Sequence, residues 1–152
     1  MIQRINKKAL FDYSIEKTRE CGIVLFGHEV KSMKQNNFSA GEAIIRFQGS
    51  VLFLINCHID QYVHASIQQL GSYNPTRPRI LLAHRKELGS MFAGIRQGGG
   101  ATLILTKIYS RRHFIKCEVA LAKKKKNITK KSLIKERDTD RQVKQDLARL
   151  GF

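Results

Sequence analysis

The sequence predicts a mainly β protein: a small antiparallel β-barrel with peripheral α-helices and a basic C-terminal tail. Its 152 residues correspond to about one domain, and a hydrophobic share of 42% excludes wholesale disorder. Five or six short β-rich runs interrupted by helices are typical of small barrels. The net charge of +16 is unevenly spread, since residues 123–152 hold 11 basic and 4 acidic side chains. We therefore divide the chain into a globular body, residues 1–122, and a basic tail, residues 123–152.

The first half of the body alternates strands with one short helix. Residues 11–20 and 23–26 form either one long strand or two strands separated at Gly22. A helix is predicted over residues 27–35. Residues 43–47 and 51–59 are further β-rich runs, and the intervening Gln-Gly-Ser indicates a hairpin turn.

The second half begins with a longer helix, predicted over residues 78–92. Pro78 is a favoured first-turn residue, and Gly94 is a suitable stop. Residues 102–109 and 114–121 then form a strand pair, and the second strand shows the alternation of a half-buried strand. The tail has helix-forming composition without a continuous apolar stripe. We expect it to be disordered alone and helical when bound to a polyanion.

Motifs for catalysis are absent from the sequence, which has no serine nucleophile elbow, no His-Glu-x-x-His motif and no phosphate-binding loop. We therefore predict no enzymatic activity, no metal and no cofactor. The longest apolar stretches are far shorter than the roughly 20 residues that cross a bilayer, and the polar N-terminus argues against export. Cys21, Cys57 and Cys117 contain no Cys-x-x-Cys pair, so we expect reduced, buried thiols and a cytoplasmic location.

The excess of positive charge indicates a polyanionic partner, with nucleic acid first and an anionic membrane surface second. Four consecutive lysines open the tail at residues 123–126, and a second basic cluster lies at residues 77–86. Tyr62, Tyr73 and Tyr109 offer aromatic faces on which bases can stack. Packing inside the barrel is the alternative for these tyrosines.

Six short segments occur in order along the chain at near-constant spacing. They are Asn6-Lys7-Lys8-Ala9, Gly27-x-Glu29-Val30-Lys31-Ser32, Ile55-Asn56-x-His58-Ile59-x-x-Tyr62, Pro75-x-Arg77-x-Arg79-x-Leu81-Leu82-x-His84, Ala120-Leu121-Ala122-Lys123 and Ile134-Lys135-Glu136-Arg137-Asp138. Together these segments resemble the SsrA-binding protein family of bacteria, also called small protein B, over about residues 6 to 141.

The resemblance implies a fold, a function and a set of partners. The family folds as an oligonucleotide-binding (OB-like) barrel with flanking helices. Its members are adaptors without catalysis that bind the tRNA-like domain of transfer-messenger RNA and bring it to stalled ribosomes for rescue by trans-translation. Their basic tail is expected at the small-subunit RNA, near the decoding centre and the message channel. A general single-stranded RNA or ribosome-surface binder on the same barrel is the alternative.

The resemblance also assigns positions residue by residue. The RNA-binding positions of the body are Glu29, Lys31, Ser32, Asn56, His58, Arg79, Leu82 and His84, and the basic cluster adds Arg85. The ribosome-binding positions of the tail are Lys123, Lys125, Lys126, Lys130, Lys131, Lys135 and Arg137. Glu29 is expected to accept hydrogen bonds from base amino groups or ribose hydroxyls, and a first-turn acid favoured by the helix dipole is the alternative. For His84 the alternative is plain packing.

The chain departs from the family in the tail. Lys124 stands where the family has Gly between two lysines, and Ile128-Thr129 replaces an aromatic residue or His followed by Asp. An aliphatic side chain cannot stack on a ribosomal base as a ring does.

Two other function classes stay open. One is a metal-dependent nuclease that uses His28, Glu29 and His58. The other is membrane association through the lysine run, for which the tail offers only a thin apolar face.

Overall fold

The computed structural model describes residues 2–65, 71–125, 137–138 and 141–149. Nine strands and three helices are described up to residue 125. In chain order they are β1 (Gln3–Ile5), α1 (Lys7–Asp12), β2 (Tyr13–Ile23), α2 (Gly27–Lys34), β3 (Phe38–Ser39), β4 (Ile44–Gln48), β5 (Val51–Ile55), β6 (His58–Ile59), β7 (Arg79–Leu82), α3 (Arg85–Arg96), β8 (Ala101–Arg111) and β9 (Phe114–Lys124).

Seven of the strands form one antiparallel sheet in the order β1-β8-β9-β2-β7-β5-β4, and β3 pairs with β6 in a second, two-stranded sheet. The large sheet curls until β4 lies against β8. Its edges β1 and β4 are not paired with each other in the described residues, and side chains at and next to β1 instead contact β3 and the residue that follows it. The Arg4 guanidinium donates to the Phe38 carbonyl, and Asn6 Nδ2 donates to the Ala40 carbonyl at 3.4 Å. The prediction of a mainly β antiparallel fold with peripheral helices is confirmed.

The core lies on the inner face of the curled sheet. In β9 the inward residues Ile115, Cys117, Val119 and Leu121 are buried, as the alternation predicts. The outer face of β9 is also covered at Ala120 and Ala122, because α1 packs there through residues such as Ala9. All three cysteines are buried and free, which confirms the prediction of buried thiols.

The first half of the chain follows the prediction for α2 and differs in its strands. Gly22 does not end β2, because its backbone pairs with Lys116 on one side and Leu82 on the other. The strand predicted over residues 51–59 is split at Asn56, whose φ of 60° turns the chain away from the large sheet. Strand β1 and helix α1 were not predicted, since each is too short to show a period.

The helix predicted from Pro78 is wrong in nearly its first half, residues 78–84. Residues 79–82 form strand β7, which lies between β2 and β5, and α3 begins only at Arg85. The strand points Arg79 and Leu81 inward and Ile80 and Leu82 outward. A buried arginine breaks the expected apolar alternation, so the strand was not visible in the sequence. Nor does Gly94 stop α3, which continues to Arg96.

Beyond the body, β9 continues to Lys124 and carries the sheet two residues past the predicted boundary. Residues 141–149 are helical and exposed. In the described residues no helix has the length and apolar character needed to cross a membrane.

Candidate nucleic-acid interface

An apolar strip lies on the outer face of the sheet where β2, β7 and α2 meet. It consists of Val24, Phe26, Ile80 and Leu82, each between 40% and 57% exposed. The strands align these residues, because the Val24 amide donates to the Ile80 carbonyl at 2.9 Å and Gly22 pairs with Leu82. Exposed apolar surface beside cations is suited to unstacked bases and their phosphates.

Cations surround this apolar strip. Ile80 pairs with Phe53 of β5, and Phe53 pairs with Arg46 of β4, so the outer face continues to an exposed arginine. Exposed Lys31 lies on α2, next to the Phe26 end, and exposed Arg85 starts α3 near the Leu82 end.

Beneath the Phe26 end of the strip lies a cluster of four side chains, called the buried cluster below: fully buried Glu29 and Arg79 with half-buried Tyr73 and Arg77. Glu29 is fully buried in the first turn of α2, and both carboxylate oxygens are occupied. Oε1 accepts from the Phe26 amide at 2.8 Å and from Arg77 Nη2. Oε2 accepts from Arg79 Nε at 2.8 Å and lies 3.0 Å from the Tyr73 hydroxyl.

The electrostatics of the buried cluster keep Glu29 charged. Burial opposes ionisation, but hydrogen bonds from Arg77, the Phe26 amide and Arg79 outweigh it and hold the pKa of the Glu29 carboxyl below its usual range. Burial and the adjacent Glu29 charge raise the pKa of Tyr73 to about 12. Tyr73 is therefore a neutral donor at physiological pH.

Arg79 is also fully buried and joins four parts of the fold. Its Nη1 donates to the Cys57 carbonyl at 2.6 Å, and its Nη2 donates to the Pro75 carbonyl at 3.0 Å. With Nε bound to Glu29, the guanidinium ties β7 to α2, to the turn before β6 and to residues 73–77. A fully satisfied buried ion pair of this kind fixes geometry because every donor has a partner.

The structure places Glu29, Ser32 and Arg79 inside the protein, although the sequence assigned all three to the RNA-binding surface. Ser32 is fully buried and donates from Oγ to the Asp60 carbonyl at 2.7 Å. In the described conformation these three side chains have no surface to offer an RNA. Glu29 instead matches the alternative interpretation, an acid in the first turn of a helix.

The other predicted body residues are exposed but do not form one cluster. Leu82 and His84 border a cleft that is also lined by Gly22, Glu87 and Lys116. His58 Nε2 lies 2.7 Å from Asp60 Oδ1 on the surface. Asn56 lines a different cleft, next to α1 and β8. The nuclease alternative needs an accessible Glu29, and the buried cluster removes that access.

Of the predicted tail residues, three are described. Lys123 belongs to β9, where its Nζ lies 3.3 Å from Glu16 Oε1. The Lys125 amide donates to the Asp12 carbonyl at 2.9 Å, and the Arg137 guanidinium lies 5.6 Å from the centre of the Phe11 ring. Lys126, Lys130, Lys131 and Lys135 lie outside the described residues.

Phe26 was missed as a site residue, and Tyr73 and Arg77 were expected only as a stacking face and as part of the basic cluster, not as partners of Glu29. Arg77 and Arg79 are two apart, which places them on one side of an extended chain. That spacing was a usable signal, but the helix predicted over residues 78–92 concealed it. Arg79 and Glu29 are 50 residues apart in the sequence, so no local pattern could indicate their ion pair. Among the described residues no group of three His, Cys, Asp or Glu side chains is placed to hold a metal ion.

Comparison with known proteins gives a single family. The family model described as SmpB protein matches residues 3–149. An SsrA-binding protein of Pseudomonas paraeruginosa is 39% identical over 138 residues, covering 91% of this chain and 85% of the relative. One from Fervidobacterium nodosum is 39% identical over 143 residues, covering 93% of each. A solved structure described as "tmRNA-SmpB: a journey to the center of the bacterial ribosome" superposes with a TM-score of 0.64 at 35% identity, covering 82% of this chain and 85% of that one. The chain belongs to the SmpB protein family.

Proposed function

We propose that this protein is an adaptor that binds transfer-messenger RNA and brings it to stalled ribosomes for rescue by trans-translation. The observation that carries the proposal is the family match over residues 3–149. The relatives are SsrA-binding proteins, and the superposed structure is a complex of SmpB with transfer-messenger RNA on the ribosome. The adaptor works in the cytoplasm and performs no chemical step of its own.

The surface of the body supports RNA binding without catalysis. The apolar strip offers contacts for unstacked bases, while Arg46, Lys31 and Arg85 around it meet phosphates. A folded RNA with exposed loops suits such a surface, because it is recognised through shape, stacking and backbone contacts. The tail lysines add charge that suits ribosomal RNA.

In this proposal the buried predicted residues act by positioning. Glu29 and Arg79 hold Phe26, Tyr73 and the start of α2 in place, so the RNA-facing side chains Lys31 and Phe26 are set before RNA arrives. Binding costs less when the receptor is already ordered. Direct RNA contact in the body then belongs to Lys31, Leu82, His84 and Arg85.

Binding to the tRNA-like domain of transfer-messenger RNA tests the proposal, with an unrelated RNA hairpin as competitor at about 0.15 M salt. Selective binding that survives the competitor is expected, since binding through phosphates alone collapses first as salt rises. Equal affinity for both RNAs would contradict the adaptor function and favour a general RNA binder. Delivery to stalled ribosomes is tested by measuring the rescue of ribosomes on a message without a stop codon, with and without the protein.

A matched pair of variants tests the apolar strip. Ile80 and Ile15 are both 40% exposed, but only Ile80 lies on the strip. Truncation of Ile80→Ala should weaken binding of the tRNA-like domain about fivefold, the effect of losing roughly 1 kcal/mol of apolar contact. Ile15→Ala should leave it unchanged. Equal effects would move the interface away from the strip.

A further inference from the structure

A cleft opens between the first turns of α2 and the segment that follows β6. It encloses about 380 Å³ and is lined by Phe26, Gly27, His28, Lys31, Tyr62, His64 and Ala65. This volume lies at the lower end of the range for small-ligand sites. Four of its seven lining residues carry aromatic rings and one carries a permanent positive charge.

The rings form two separate walls. On one side the Phe26 and His28 rings are 5.7 Å apart, and His28 meets Tyr73 edge-on at 4.8 Å. On the other side the Tyr62 and His64 rings are 5.5 Å apart. The cation of the cleft is Lys31, whose Nζ lies 5.6 Å from the centre of the Tyr62 ring.

The first wall is held rigidly by the buried cluster. The Phe26 amide and the Tyr73 hydroxyl both bind the Glu29 carboxylate, and the Arg77 guanidinium lies 3.9 Å from the centre of the Phe26 ring. Phe26 nevertheless remains 52% exposed, so its ring is fixed with Arg77 on one face and is only partly covered. The open part of a fixed ring offers a stacking surface at little cost in conformational entropy.

Two polar atoms near this wall, His28 Nδ1 and Arg77 Nε, are buried and have no hydrogen bond to any described residue. Both atoms are covered, so the aromatic walls and the exposed Lys31 define what the cleft accepts. The ligand that fits is flat and aromatic and carries a negative charge for Lys31.

We propose that this cleft binds one unstacked nucleotide of the RNA partner, with its base between the two aromatic walls and its phosphate at Lys31. The inference rests on the proposed function for the class of partner and adds to it a defined single-nucleotide site. An acidic peptide with an aromatic side chain shares part of this chemistry. The RNA is favoured because the site adjoins the apolar strip through Phe26 and belongs to a chain of net charge +16.

The test compares three variants in binding to the tRNA-like domain. Tyr62→Leu removes one stacking ring and keeps apolar volume, whereas Tyr62→Phe keeps the ring. Phe114→Leu is the matched control, because Phe114 is an aromatic residue that is 68% exposed at the start of β9 and lies outside the cleft. Loss of one stacked base should weaken binding by Tyr62→Leu about 5- to 150-fold. Tyr62→Phe and Phe114→Leu should stay within about twofold of the unaltered protein, a change too small to represent a lost stacked base.

The salt dependence separates stacking from charge. Tyr62→Leu should leave the slope of log affinity against log salt unchanged, and Lys31→Gln should reduce its magnitude by about 0.7 to 0.9. If the unaltered protein binds the tRNA-like domain selectively while Tyr62→Leu binds equally well, the nucleotide site is refuted and the adaptor function stands. If the unaltered protein shows no selectivity, the proposed function itself fails. Weaker binding by Tyr62→Phe as well as Tyr62→Leu would assign the effect to the hydroxyl and would also overturn the stacking site.

Discussion

Replacing Glu29 by alanine is the most informative single change, because the sequence and the structure predict different outcomes. A surface residue that contacts RNA would lose affinity with its stability intact. In the structure Glu29→Ala leaves the fully buried Arg79 without a counter-charge. Removing one partner of a buried pair costs about 3–5 kcal/mol, since the other charge stays desolvated. The loss of the Arg77 ion pair contributes less to this destabilisation, because the Arg77 side chain is 22% exposed and can reach water.

The assay is urea unfolding followed by circular dichroism, because the chain has no tryptophan to report by fluorescence. In thermal unfolding with the same readout, the melting temperature should fall by about 6–20 °C, since each kcal/mol corresponds to about 2–4 °C for a domain of this size. Glu42→Ala is the control: its carboxylate is exposed and pairs with Lys8 on the surface, so the stability should not change measurably. The double variant Glu29→Leu with Arg79→Met removes the unpaired charge and should recover part of the loss, although the Cys57 and Pro75 carbonyls then lack their donor. A loss below about 1 kcal/mol for Glu29→Ala, together with weaker RNA binding, would refute the positioning role.

Three further predictions concern acid, helix α3 and the tail. The pKa of Glu29 is lower in the folded protein than its ordinary value of 4.5, so the unfolded chain takes up a proton first as pH falls. The free energy of unfolding should therefore decrease below about pH 4.5, and the decrease should be smaller in Glu29→Gln, measured by urea titrations across that range. Gly89 of α3 has open space around it, so Gly89→Ala should raise the free energy of unfolding by about 0.5–1 kcal/mol. Gly94→Ala should not show this gain, because its Cβ would lie 2.4 Å from a Leu121 methyl group. Deletion of the residues after Lys126 should retain most affinity for the tRNA-like domain and abolish ribosome rescue; equal loss of both would contradict the division between body and tail.

The elements that the sequence predicted well are those whose pattern is local. β9 alternates between buried and half-buried residues from Ile115 to Val119, and α2 starts at Gly27 as predicted. β7 failed because its inward residues are one arginine and one leucine, and only the partner on α2 makes the arginine compatible with burial. That partner is 50 positions away, beyond the reach of any periodicity.

The candidate site shows the same division between local and distant information. Lys31 and Leu82 are exposed, as expected of RNA-binding positions, and their placement follows from one helix and one strand. The burial of Ser32 depends on a hydrogen bond to the Asp60 carbonyl. Asp60 is 28 residues away in the sequence, so no local pattern indicates this contact. A sequence motif therefore indicates candidate site residues. It does not distinguish residues that contact the RNA from residues that position the contacting side chains.

The buried cluster also explains how an acid can lie under the surface that we propose binds RNA. An exposed carboxylate there would repel phosphate, whereas Glu29 is enclosed and faces two guanidinium groups. One negative and two positive charges leave the cluster at +1, because Tyr73 stays neutral with its pKa raised to about 12. Arg77 is the only one of the three charged side chains in the cluster with exposed surface, and it stacks on Phe26 between the apolar strip and the nucleotide cleft. The net positive charge of the cluster therefore reaches the surface through Arg77, where the apolar strip meets the cleft beside Phe26. Removing Glu29 would raise the local positive charge and still weaken RNA binding, since the rings would lose their fixed position.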